Sequence, residues 1–473
     1  MNSTPPVIPP SVPAPPASSP RRPSVILKLV CIGVLLILLQ IPVGLTHGIV
    51  KDRRSYQSQA TGEITSSWGG PETLVGPILA VPYFHKARAI HERVVNGQRV
   101  NVEETDLCPA TAYFLPENLS VDGTVDPETR YRGIYGAVVY TGRFKTTAHF
   151  QADFAAARIE ADQIDWAHAR VVVGVAELRG IRSLGPLHFG ADGSVPFEST
   201  GLTAEKFHPL AAAVPLAGAG ALDVSFELVC QGSDAIHVAP VGKATRIRLQ
   251  SPWADPSFIG STLPVTRTVG PNGFDATWES VEFSHSFPKS WANRVTHTDD
   301  VMAQVNDAAI GVRFARPVDG YGMVERAEKY ATLFFVLIFN AFFLFEMTAS
   351  VRIHPLQYAM VGAALCLFFL GFLALTEFWS IAWAYGVSAV ACTAMISLYS
   401  WSFLKTGART LIVAAGLASN YGYLYFVLQS QDYALVAGTF ALFAGLAIAM
   451  YCTRRLNWYA VELPGTPNAA AVE

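Results

Sequence analysis

The sequence predicts a membrane protein of α plus all-β class, with six transmembrane helices. A large antiparallel, sandwich-like β domain lies between the first and second helices. Three observations predict this. Of the 473 residues, 51% are hydrophobic and mean hydropathy is +0.31, while 15% are charged, against about 25% in an ordinary globular chain. Residues 331–453 carry only six of the chain's 34 basic and 37 acidic side chains. Residues 49–325, in contrast, hold many short β-type runs separated by Gly, Pro, Asp and Asn. The net charge of −3 offers no basic face, so the bilayer is the expected partner and nucleic acid is not.

Residues 1–24 are a Pro-rich tail, with nine prolines before position 24, and are expected to stay unfolded. Residues 25–48 follow as a hydrophobic helix, of which 25–46 suffices to cross about 30 Å of hydrocarbon. A cleavable signal peptide is the competing assignment. No small-x-small site follows the run and its apolar length is too great, so an anchor is predicted.

Residues 49–325 form the β-rich domain. Its clearest strands are 136–140, 170–175, 222–229, 245–249 and 276–283. In Val224, Phe226 and Leu228 apolar residues recur at every second position, the period of a half-buried strand. One helix is expected at 298–309, capped by Thr298 or Asp299. Whether the block is one β unit or two is open.

Five further spans are predicted at 329–349, 356–376, 379–400, 409–428 and 433–452, making a bundle over 329–453. Arg352, Lys405, Arg409 and Arg454 fall in alternate connections, whereas the other connections hold Glu377 and Asp432. Positive charge stays inside. Both termini, including the tail 454–473, are therefore expected in the cytoplasm and the β domain in the periplasm.

Several ordered stretches then carry a resemblance. They are Trp68-Gly69-Gly70, Glu72 through Pro77, Val81-Pro82-Tyr83, Leu115-Pro116-Glu117 and Arg130 through Tyr135. Arg179-Gly180-Ile181, Pro240-Val241-Gly242, Ser251-Pro252-Trp253 and Pro256-Ser257-Phe258 follow. The membrane part adds Glu325 through Tyr330, Phe343 through Glu346, His354 through Tyr358, Gln429, Asp432-Tyr433 and Thr453-Arg454. On these stretches the chain, from about residue 26 to 459, resembles the CreD family of bacterial inner-membrane proteins. The resemblance implies an envelope-integrity protein linked to a two-component stress response, colicin tolerance and β-lactam responses. It implies no reaction and no catalytic residue. Glu177 departs from the aspartate usual in the family.

Individual side chains admit competing readings. Glu346 lies near the inner end of the second predicted span, with Asn340 deeper. An intramembrane acid points to a proton or ion path. The plainer reading is that Glu346 reaches the interface or pairs with Arg352, and that Asn340 bridges helices. A proton path needs several mid-membrane acids, and Glu377 and Asp432 fall instead in short outer loops where water reaches them. Ala437, Ala441, Gly445 and Ala449 recur every four residues, which lets helices approach within the bundle or across a dimer. Tyr421, Tyr423, Tyr425, Trp379 and Trp383 fit an interfacial belt.

Cys31, Cys366, Cys392 and Cys452 lie in or beside spans. Cys108 and Cys230 fall in the outer domain, where an oxidising compartment permits a disulfide. Trp253 and Phe258 either seal a β core or present an aromatic patch to a partner. Gly69, Gly70, Gly76 and Pro77 are read as turn formers. His237, His285 and His297 lack ligand spacing, so no metal is expected, and no nucleophile elbow or P-loop is present. Nor is any cofactor expected. The leading reading is a non-enzymatic protein whose β domain binds an envelope protein or glycan. The alternatives are a transporter using Glu346 and Asn340, and a sensor, for which the inner loops are too short.

Overall fold

The computed structural model describes residues 25–95, 98–190, 192–200, 207–281, 286–314, 320–349, 353–430 and 433–454. The predicted tail, His285, Arg352, Asp432 and the residues after 454 lie outside these, as does the side chain of Cys452. The chain divides into two compact units. One holds the described residues up to Arg54 and from Gly320 onward, and the other begins at Ser55 and ends before Gly320.

The first unit is helical. Its elements are α1 (Val25–Leu38), α2 (Gln40–Trp68), α4 (Gly320–Lys329), α5 (Ala331–Ala349), α6 (Pro355–Thr376), α7 (Ile381–Leu404), α8 (Gly407–Gln429) and α9 (Ala434–Thr453). Helix α3 (Thr298–Asp307) belongs to the other unit. Four helices among the described residues are long and apolar enough to cross a membrane, and the bent pair α4 and α5 makes a fifth. A shorter apolar helix covers Leu435–Tyr451. The start of α6 is fixed by chemistry: Pro355 sits in the first turn, and His354 and Gln357 cap each other's backbone. Lys405 ends α7 with a left-handed φ of 52°. Phe334, Phe368 and Tyr421 meet at the bundle's centre, with Tyr421 centroids 4.9 and 4.7 Å from the two phenyl rings.

The first helical stretch outruns its apolar run. It bends at Leu39 and continues to Trp68, so the first strand starts at Glu72 rather than near residue 49. Residues 49–68 contain no proline and no alternating pattern. Their hydroxyls fold back onto the helix's own carbonyls, as in Thr61 to Gln57 at 2.9 Å and Ser67 to Glu63 at 2.8 Å. The division between the units falls within this helix.

The second unit is a β-sandwich of a ten-stranded and a nine-stranded sheet. Strand Glu72–Val95 is the spine of the larger sheet. It pairs with Gln98–Phe114, Gln163–Ile164 and Arg170–Val175 antiparallel and with Ala235–Val238 parallel. The smaller sheet is ordered Thr266–Gly270, Gly273–Val281, Ala244–Ser251, Asn118–Arg132, Tyr135–Gln151, Ala221–Ser233, Leu187–Phe189, Gly193–Val195, and its ninth strand, Ile181–Leu184, also pairs with Ala221–Ser233. Pairing is mainly antiparallel, as alternation predicts, and Ala244–Ser251 beside Asn118–Arg132 is a second parallel pair. The predicted 170–175 strand is found unchanged, 136–140 lengthens to Tyr135–Gln151, and 276–281 falls in Gly273–Val281, while 282 and 283 lie outside the described residues.

The inner faces interdigitate. Tyr140 of the smaller sheet meets Phe314 of the larger at 5.4 Å, and Phe258 of the larger meets Trp278 of the smaller at 5.8 Å. Helix α3 starts one residue after His297, which makes no capping bond; Asp299 and Asp300 in its first turn complement the helix dipole instead.

Phe144 shows how tightly the sandwich is fitted. Its ring lies over two glycines, and a Cβ on Gly142 or Gly123 would come within 2.5 or 2.8 Å of it. Overpacking of this kind costs about 1–3 kcal/mol. Gly142→Val is therefore expected to lower the denaturation midpoint of the detergent-solubilised protein, followed by circular dichroism. An unchanged midpoint would show that the ring has another place to go.

Candidate functional site

Three clusters of polar groups stand out, one in the β unit and two in the helical unit. The first gathers around Glu72, 1% exposed. Its Oε1 accepts from the backbone N–H of Ala176 at 2.5 Å, Thr73 at 3.2 Å and Glu177 at 3.4 Å. Glu177 Oε2 in turn accepts from Gly70 N at 2.9 Å, and its Oε1 lies 3.3 Å from Arg179 Nε. The Gln231 carbonyl is wedged between two glycines. A Cβ on Gly69 would sit 2.9 Å from it and one on Gly180 2.5 Å, and Gly69 holds φ at 138°. Ser233 Oγ donates to Gly69 O at 2.8 Å.

Above this knot the Trp68 indole donates to Tyr140 O at 3.3 Å. The Arg130 guanidinium lies 4.1 Å from the indole ring and that of Arg182 5.9 Å, within cation–π range. Burial pushes the Glu72 carboxyl up to about 7, against the pull of the three N–H groups. Burial likewise raises the Cys230 thiol and the Tyr140 phenol and lowers the His237 imidazole. The knot therefore holds a carboxyl poised to titrate beside the neutral Cys230 thiol and Tyr140 phenol, with the Glu177–Arg179 pair next to it. Cys230 is held as a thiol and Ser233 is committed to a carbonyl, so neither is an activated nucleophile.

The second cluster joins α2 to α4 and to the end of α6. His47 Nδ1 lies 3.1 Å from Glu328 Oε2, Arg54 donates to Glu325 at 2.8 Å, and Arg53 Nε lies 3.3 Å from Glu377. Tyr321 also donates to Glu377, at 3.4 Å.

The third is built on Glu346, 9% exposed. Lys28 of α1 pairs with its Oε1, which also accepts from Ile353 N at 3.2 Å. Tyr358 of α6 donates to Oε2 at 3.3 Å. Three segments thus converge on one carboxylate.

Residues 24–459 match the family model described as Inner membrane protein CreD. The chain belongs to the CreD family. It is 30% identical over 442 residues to "Inner membrane protein CreD" of Escherichia coli (strain K12), covering 91% of this chain and 93% of that protein. Among solved structures, a protein from Parabacteroides distasonis ATCC 8503 gives a TM-score of 0.24 at 7% identity, over 54% of this chain and 50% of that one. Native yeast LTA4 hydrolase gives 0.17 at 7% identity, over 38% and 28%. Neither likeness bears on fold or function.

The CreD stretches, scattered in sequence, meet in these clusters. Trp68–Glu72, Arg130 and Arg179–Gly180 meet in the first, Glu325–Glu328 lie in the second, and Glu346 meets Tyr358 in the third. Glu346 pairs with Lys28 of α1, and Arg352, the partner read from the sequence, lies outside the described residues. Asn340 is half-buried six residues earlier, about 120° round the helix from Glu346, so the two do not share a face. Glu377 is an ion-pair member, not a hydrated loop acid, because α2 extends far enough to bring Arg53 to it.

Tyr421 is buried at 2% exposure and Tyr423 donates to Ala437 O, so these rings serve the bundle core rather than a belt; Trp379 and Trp383 stay exposed. Ala437, Ala441, Gly445 and Ala449 make the less exposed stripe of α9, and a Cβ on Gly445 would touch Leu337 of α5 at 2.8 Å. That contact places the stripe against α5 inside the bundle. Trp253 and Phe258 pack on the sandwich core, Trp253 edge-on to Phe314 at 6.2 Å, and form no exposed patch. Cys108 and Cys230 are both free thiols. Cys108 lies in the long hairpin of the larger sheet and Cys230 is buried within the smaller one, so the bond that the compartment would permit is not made. Sequence reasoning missed Glu72 and Lys28. A lone Glu opening a strand carries no periodic signal, and Lys28 reads as an ordinary flanking cation.

Two measurements follow. The folded Glu72 carboxyl keeps its proton up to about 7, whereas an unfolded one releases it near 4.5. The folded state thus binds more protons in that window, and stability falls as pH rises through it, by about 3 kcal/mol in all. Denaturant titrations from pH 4 to 8 should show this falling contribution in wild type and its loss in Glu72→Gln, the lowered His237 giving both the same small rise; identical pH profiles for the two proteins contradict the assignment. Lys28→Met leaves the Glu346 charge without its cation and should cost about 3 kcal/mol. Adding Glu346→Gln should restore most of it, and additive losses in a double-mutant cycle would argue against coupling.

Proposed function

We propose that this CreD-family chain is a non-enzymatic inner-membrane protein that supports envelope integrity and the response to envelope stress, β-lactams and colicins. It crosses the membrane six times with both termini in the cytoplasm, and its β domain stands in the periplasm between the first and second spans. There the β domain binds an envelope protein or glycan. Alternation of Lys and Arg between connections supports the orientation.

The observation that carries the binding reading is the outer face of the smaller sheet. Six adjacent strands bring Glu279, Arg246, Ser120, Thr147, Ser225 and His188 into one row. Beside it His149 Nδ1 lies 2.7 Å from Asp223 Oδ1. The two rows line a shallow groove of about 660 Å³, large enough for a sugar or a peptide strand. Apolar side chains such as Phe189 and Val281 make up more of the lining than polar ones, with hydrogen-bonding groups along the row, the mixture that a sugar ring or a peptide strand presents. Nothing favours the transport reading: Glu346 is neutralised where it stands, and Asn340 lies away from it.

Complementation tests this. A deletion strain challenged with detergent and a β-lactam receives wild type, Glu346→Gln, or Arg246→Ala with Thr147→Glu, at matched membrane levels. The groove variant should lose rescue and Glu346→Gln should retain it. Rescue by the groove variant, with loss by Glu346→Gln, would move the function into the membrane bundle.

A further inference from the structure

The groove on the smaller sheet runs across the strands, not along them. The row from Glu279 through Arg246, Ser120, Thr147 and Ser225 to His188 takes one residue from each of six neighbouring strands, which makes it about 24 Å long. Ala244–Ser251, Asn118–Arg132, Tyr135–Gln151 and Ala221–Ser233 each have a neighbouring strand on both sides. Their backbone N–H and C=O groups are used within the sheet, so side chains are what the groove presents. A peptide strand that binds by extending a sheet needs a free edge, and over the groove these four strands have none.

Size and charge restrict the occupant further. This row and the His149–Asp223 row beside it cover roughly 300 Å², against about 800 Å² that each partner buries in a stable protein complex. The groove's volume of about 660 Å³ is instead that of a small-ligand site. Arg246 stands opposite Glu279 in register, and His149 contacts Asp223 at 2.7 Å. Neither a polyanion nor a basic peptide therefore meets an excess of opposite charge. Ser120, Thr147 and Ser225 can each donate and accept a hydrogen bond, and Phe189 and Val281 add apolar surface. Taking the groove as the binding site, we propose that its occupant is an uncharged, straight chain of β-1,4-linked pyranose sugars, about five units long. Neighbouring strands are about 4.8 Å apart, close to the advance of one sugar in such a chain, so each ring lies over one strand. The sugar hydroxyls meet the Ser and Thr row, and the C–H faces of the rings cover the apolar lining.

The test titrates full-length protein in nanodiscs, by calorimetry, with cellulose and chitin oligosaccharides of two to six sugars. Maltopentaose, whose α-linkages curl the chain, is the comparison. Affinity for a straight series should climb severalfold with each added sugar and level off at about five. Maltopentaose should bind about tenfold more weakly than the straight pentamer, or worse. Thr147→Val with Ser225→Ala, which removes two hydroxyls and keeps the strands, should weaken the straight pentamer about tenfold or more. Saturable binding of either straight series with this length dependence supports the proposal. No saturable binding by both, equal binding of maltopentaose, or binding unchanged by the double substitution overturns it. Complementation separates that failure from failure of the groove reading. Rescue lost by Arg246→Ala with Thr147→Glu while no sugar binds leaves the groove to another occupant, whereas rescue retained removes the groove itself.

Discussion

A carboxylate taken out of water loses several kcal/mol of hydration, and Glu346 recovers it from three directions at once. Lys28 brings opposite charge, Ile353 a backbone N–H and Tyr358 a hydroxyl. Each donor comes from a different segment, so satisfying one acid fixes the start of α1, the turn after α5 and the start of α6 together. The His354–Gln357 capping pair holds α6 so that Tyr358 faces the acid. The far end of the same helical unit repeats the device with His47, Arg53 and Arg54 against Glu328, Glu377 and Glu325. Helices in hydrocarbon gain little from apolar contact alone. Charge at both ends and small residues between supply the register, as where a Cβ on Gly362 would strike Leu39.

The β unit solves a similar problem with backbone groups. Glu72 opens the strand on which the larger sheet is built, and its carboxyl is held by N–H groups of 73, 176 and 177. Gly69 and Gly180 let two chain segments touch the Gln231 carbonyl where any side chain would collide. The knot is therefore a fastener with a titratable centre. Its chemistry explains why the segments that form it are so rich in Gly, Glu and Arg.

Much of the architecture was legible because it rests on periodicity and on long apolar runs. Val224, Phe226 and Leu228 mark a strand by alternation, and α6 to α9 announce themselves by length. Boundaries were less legible where hydroxyl side chains bond back to the backbone, as in 49–68, which reads as the start of the β domain and folds as helix. The roles of single residues were least legible, since they depend on partners far away in sequence. Lys28 and Glu346 are 318 residues apart, and no local pattern links them. Glu377 looked hydrated because nothing in its own loop suggests Arg53. The aromatic crowd at 421–425 has belt composition, yet Tyr421 faces Phe334 and Phe368 because α8 turns that side inward.

The parallel pairing of Glu72–Leu74 with Ile236–Val238 sets an order of events during synthesis. At about 5–20 residues per second, the first strand waits roughly 8–30 s for the partner that lies some 160 residues downstream. Its antiparallel neighbour Gln98–Phe114 arrives early and covers one side as a hairpin. The opposite edge waits for Arg170–Val175, and Glu72–Leu74, beside the hairpin on its own edge, wait for Ile236–Val238, so unsatisfied N–H and C=O groups stay available to any passing strand. The earliest strand made is thus among the last to be completely paired. Nascent chains interrupted between residues 120 and 170 are the ones most exposed to mispairing and proteolysis.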